Sequence, residues 1–102
     1  MSKHSVIVYF KYGINDLEPF FNLEEELMEV IRKSNAGEYD GNEIADDNSE
    51  GSYYMYGPDA DKLFSIVEPV LRKANFMKSA KVLLRYGSLK EKVPEKIITL
   101  NP

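Results

Sequence analysis

The chain has 102 residues, of which 43% are hydrophobic, 12% aromatic and 29% charged, the make-up of one packed domain. It has no cysteine and a single histidine, His4, which excludes a disulfide scaffold, cysteine-ligated zinc, iron–sulfur clusters, cysteine nucleophiles and a multi-histidine metal site within one chain. The net charge of −4 is unevenly spread: residues 16–61 hold fourteen acids against two bases, and residues 62–102 hold nine bases against three acids.

Residues 5–12, SVIVYFKY, read as a strand, being rich in β-branched and aromatic side chains and closed by Gly13. Residues 14–19 are punctuation. Either Asp16 caps a helix with Pro19 in its first turn, or Asn22 caps one with Glu25 in capping-box spacing. Residues 23–34 are helical in both cases, with Leu23, Leu27, Val30 and Ile31 on one face. Gly37 is expected to take the left-handed cap. Residues 39–45 and 52–56 form a hairpin around the turn-rich loop 46–51. Asp59 caps a second helix with an apolar stripe of Leu63, Ile66, Val67, Val70 and Ala74. Pro69 lies inside it and should kink or split it near Ser65. A strand over 80–86, a polar loop over 88–95 and a short strand over 96–100 complete the chain. The last strand pairs beside the 80–86 strand or reaches across to a second copy. The order predicts an α+β, ferredoxin-like βαββαβ domain spanning residues 1–102. Its antiparallel sheet has two helices on one face and an extra C-terminal strand.

No apolar run approaches the roughly 20 residues of a bilayer span. The N-terminus lacks the apolar core and cleavage pattern of a signal peptide. A cytoplasmic protein is expected, with no membrane contact.

The segments GEYDGNEIA (37–45) and YMYGPDADKLF (54–64), the Glu68-Pro69 step and the strand end Arg85-Tyr86-Gly87 resemble a family of small bacterial single-domain proteins. The likeness covers nearly the whole chain. It implies a bacterial cytoplasmic origin and brings no activity with it.

Strand side chains alternate between faces. Val6, Val8, Phe10, Val82, Leu84 and Tyr86 are assigned inward, against the helices. Ile7, Tyr9, Lys11, Lys81, Leu83 and Arg85 then point outward. In the second hairpin arm Tyr53 and Met55 are taken as inward and Tyr54 and Tyr56 as outward; a one-residue slip would reverse them. The outward set gives six candidate binding residues: Tyr9, Lys11, Tyr54, Tyr56, Leu83 and Arg85. Such a face is too apolar to stand as a contiguous patch in water. The leading reading is a non-catalytic interaction domain, a homodimer with two sheets packed face to face. The alternative is a small-ligand site or a cofactor-independent enzyme with its pocket on the same face. Single-stranded RNA is disfavoured, because the net charge is negative and the strand lacks the basic, glycine-spaced aromatic motif. A further alternative is an acidic protein-partner module, inhibitor-like, using Glu24, Glu25 and Glu29.

No cofactor or metal is expected. A calcium loop starting at Asp46 has Asn48, Glu50 and Gly51 in place but meets Gly57 where the closing glutamate belongs. Asp59 and Asp61 read as favourable charge at a helix start. No serine has the nucleophile-elbow setting, and no Walker pattern occurs. His4 is expected to be exposed at a frayed strand start. No catalytic residue is assigned.

Overall fold

The computed structural model describes residues 3–88, 90 and 92–102. Leu89 and Glu91, within the anticipated 88–95 loop, lie outside the described residues. The elements in chain order are β1 (His4–Lys11), α1 (Glu18–Ser34), β2 (Glu38–Ile44), β3 (Glu50–Gly57), α2 (Ala60–Lys73), a 3-10 turn (Asn75–Met77), β4 (Lys81–Arg85) and β5 (Glu95–Thr99). The strands form one antiparallel sheet in the order β2-β3-β1-β4-β5. The class is α+β. β5 lies beside β4, the first of its two anticipated positions.

The two-residue period of the strands sets the core. Val6, Val8 and Phe10 of β1, Tyr53 and Met55 of β3, and Val82 and Leu84 of β4 are all buried on one side. Helix α1 meets them with Phe20, Leu23, Leu27 and Ile31, spaced three and four residues apart. Helix α2 adds Leu63, Val67 and Val70, together with Phe64 and Leu71 outside the predicted stripe. Each fully buried side chain of this size contributes about 1.5–3 kcal/mol. Phe20 and Tyr53 stack at 5.1 Å, and the Tyr53 hydroxyl donates to the Phe20 carbonyl at 2.7 Å. That bond ties the start of α1 to the middle of the sheet.

Several local expectations are corrected. Helix α1 starts near the earlier of the two predicted points, but its N-cap is Leu17, with no side-chain cap bond, and not Asp16. Pro19 sits in its first turn, where a missing N–H costs no helical bond. Asp16 Oδ1 accepts the Glu18 N–H at 2.9 Å, and Asn22 lies inside the helix rather than capping it. The left-handed cap is Asn35 (φ 55°), not Gly37. Gly37 is needed for a different reason: a Cβ there would lie 2.1 Å from the Tyr56 carbonyl oxygen. Helix α2 is capped by Asp59, which accepts the Lys62 N–H at 3.1 Å, as expected. It runs unbroken through Pro69, so the proline does not split it. Ser65 and Pro69 are both exposed, so water can satisfy the carbonyl that Pro69 leaves free.

His4 belongs to β1 and is not frayed. Its Nδ1 accepts the Ala60 N–H at 3.0 Å, adding a second cap to α2, and its ring meets Tyr86 edge-on at 5.7 Å. Edge strand β2 carries a bulge between Tyr39 and Gly41, with Gly41 at φ 146°.

Candidate functional site

Helices α1 and α2 pack on one side of the sheet, so among the described residues no helix covers the other side. Register arranges its side chains in rows across the five strands. The middle row is Gly41, Tyr54, Ile7, Leu83 and Ile97. On one side of it runs Glu43, Ser52, Tyr9, Lys81 and Thr99. On the other runs Glu38, Tyr56, Ser5, Arg85 and Glu95. Lys11 and Glu50 face each other beyond the Tyr9 row.

The six predicted residues therefore share one face, but not one pocket. Tyr9 is 44% exposed, Ile97 is 67% exposed, and Tyr54, Tyr56 and Leu83 are half-buried. Ile7 is buried beneath its neighbours. Ile97 was missed by sequence reasoning, which did not assign faces to the last strand; period-two alternation across KIIT was the available signal.

A groove of about 560 Å³ opens at the Tyr9 end of the face. Tyr9, Lys11, Glu43, Ser52, Tyr54 and Lys81 are among the residues that line it. Arg85 does not, because it lies at the opposite end of β4. Within the groove Ser52 Oγ donates to the Tyr54 hydroxyl (3.1 Å), which donates to Glu43 Oε1 (2.7 Å). The Ser52 contact favours the ionised phenol. The Glu43 bond, partial burial and nearby negative charge outweigh it and hold Tyr54 above its ordinary value. Burial, followed by the Asp40 charge, raises Tyr56 in the same way. Both phenols are neutral near pH 7.

The charged side chains are engaged. Lys11 pairs with Glu50 at 3.0 Å, and Lys81 donates to Thr99 Oγ1 at 2.7 Å. Arg85 pairs with Glu95 and also donates to the Ser88 carbonyl at 3.5 Å. Ser5 Oγ is buried in the row between Tyr56 and Arg85 and has no hydrogen-bond partner among the described residues.

The three acidic candidates of α1 differ in their surroundings. Glu24 turns toward β2, where its carboxylate accepts from the Tyr39 hydroxyl and the Asn42 amide. Glu29 is bridged to Arg32 and Lys33 within its own helix. Glu25 is exposed. Two exposed apolar side chains, Phe21 and Met28, also lie on α1, which covers the other side of the sheet.

Among the described residues no group of three metal-ligating side chains is placed to hold an ion, and no helix is long and apolar enough to cross a membrane. No family model, curated protein or solved structure matches the chain.

Proposed function

We propose that the chain is a non-catalytic interaction domain that pairs with a second copy through its open sheet face. One observation carries this reading. The row Tyr54, Ile7, Leu83 and Ile97 crosses four strands of an uncovered sheet with only apolar or aromatic side chains, and Ile97 is 67% exposed. Covering that row removes apolar surface from water, and a second copy is the partner always present. The ferredoxin-like arrangement belongs to the same proposal. Its support is the pair β1 and β3 at the centre, with β2 and β4 outside them and β5 added at one edge. So does a bacterial, cytoplasmic setting.

Light scattering on the wild type and on Tyr9→Glu tests the reading. The wild type is expected to have twice the chain mass, and Tyr9→Glu to be a folded monomer with an unchanged circular-dichroism spectrum. A wild-type monomer at high micromolar concentration would sink the proposal.

A second reading rests on the groove beside Tyr9. Its tyrosine rings and the Lys81 ammonium suit a small planar ligand with an acceptor group. A monomeric wild type that binds such a ligand, and loses it on Tyr9→Ala and Lys81→Ala, would favour this alternative.

A further inference from the structure

The open face is electrically lopsided. The outward side chains of β2 are acidic, Glu38 and Glu43, with Asp40 in the bulge close enough to raise Tyr56. Those of β4 are basic, Lys81 and Arg85, on either side of Leu83. Between them Glu50 of β3 stands across from Lys11 of β1.

Two sheets stacked face to face by a two-fold axis have two simple aligned solutions. An axis running across the strands lays β2 over its own copy, acid on acid. An axis running along the strands reverses the strand order. If that axis passes between β3 and β1, then β2 lies over the second copy's β4, and β3 over its β1. Every row keeps its level. Glu43 then meets Lys81 of the other copy, twice per dimer. Glu50 and Lys11, and Glu38 and Arg85, come to the same level, although each is already bridged within its own chain, Glu50 to Lys11, Glu38 to Lys3 and Arg85 to Glu95. Tyr54 meets Ile7 in the middle and Leu83 meets Gly41, while β5, with Ile97, projects past the overlap. Moving the axis onto β1 would instead set Glu38 against Glu95, like charge on like. The usual angle of about 30° between packed sheets shifts the corners but keeps acidic and basic sides together.

We infer that the dimer is built on a two-fold axis parallel to the strands between β3 and β1, so that the acidic β2 side of each copy covers the basic β4 side of the other. This rests on the face-to-face reading above and adds the geometry that fixes the partner as a second copy of this chain.

Charge reversal tests it. Within one chain Glu43 and Lys81 are three strand spacings apart, about 14 Å. That exceeds the screening length of about 8–10 Å in ordinary buffer, so the two hardly sense each other inside a monomer. Glu43→Lys alone, or Lys81→Glu alone, puts like charges together twice per dimer. Each is expected to raise the dimer dissociation constant about tenfold or more. An equimolar mixture of the two variants re-forms opposite pairs at both contacts and is expected to recover near-wild-type affinity as a heterodimer, read by native mass spectrometry and light scattering. Single variants that dimerise as well as the wild type would overturn the proposed axis. So would two weakened variants that do not rescue each other. In either case a wild-type dimer that Tyr9→Glu dissociates leaves the face-to-face reading standing, whereas a wild-type monomer removes both. Circular dichroism and thermal melting of each variant separate lost affinity from lost folding.

Discussion

The two sides of one sheet follow different rules, although the same strands supply both. On the helix side Val6, Val8, Met55, Val82 and Leu84 are at most 1% exposed and carry no polar side-chain atoms. A polar atom buried there, the Tyr53 hydroxyl, has a firm acceptor in the Phe20 carbonyl. On the open side Ile7 is buried, but Leu83, Tyr54 and Tyr56 are only half covered and Tyr9 and Ile97 are exposed, with charges within a few residues. The contrast teaches which side is held by packing and which is kept soluble enough to remain available. Stability should be sensitive to the first side and association to the second.

The most damaging change should be Phe20→Ala. It removes a ring that stacks on Tyr53 and approaches Phe10 at 6.0 Å and Tyr12 at 5.9 Å. The expected loss is about 3–5 kcal/mol in urea denaturation. Tyr9→Glu, on the other side of the same sheet, should change the unfolding free energy by less than about 0.5 kcal/mol when both proteins are measured dilute enough to be monomeric, while removing dimerisation at higher concentration. If both variants lost stability equally, the distinction between the sides would fail.

Tyr53→Phe sharpens the comparison. At neutral pH it should cost about 1 kcal/mol for the lost hydroxyl bond. Burial, and then the charge of Glu24, raises the Tyr53 phenol well above its ordinary value. Folding thus favours the protonated phenol. Its contribution is complete below the unfolded value near pH 10 and is lost as pH rises beyond it, by about 1.4 kcal/mol per pH unit. Urea midpoints at pH 8 and pH 11 should fall less steeply for Tyr53→Phe than for the wild type. The remaining slope belongs in part to Tyr39, which burial and its bond to Glu24 raise in the same direction.

The smallest effect is expected at Ser5. Its buried hydroxyl has no partner among the described residues, so Ser5→Ala should be neutral or stabilising by up to about 1 kcal/mol. A clear loss in thermal melting would mean that the hydroxyl has a function on the open face.

Much of this division can be read in the sequence. In β1 and β4 the alternation separates inward from outward residues cleanly, because the two sets differ in polarity. In 53–56 both sets are tyrosine-rich, so pattern alone cannot choose. Pairing settles the choice, placing Tyr53 beside Val8 and Tyr54 beside Ile7. Non-local contacts were the harder part. Glu24 looks like one of a row of surface acids until the hairpin brings Tyr39 and Asn42 to it. His4 looks like a strand terminus until α2 brings the Ala60 N–H within reach. Gly37 reads as a helix cap, yet its missing side chain is demanded by β3 across the sheet. Of Glu24, Glu25 and Glu29, the first and last already have partners within the chain for the same reason.

The bulge in β2 has one more consequence. With Asp40 squeezed out of the ladder and acids on either side, that border repels an incoming extended chain. The border at β5 is regular and has no bulge. A sheet with one regular and one bulged border offers a single regular edge per chain for strand addition, the one at β5.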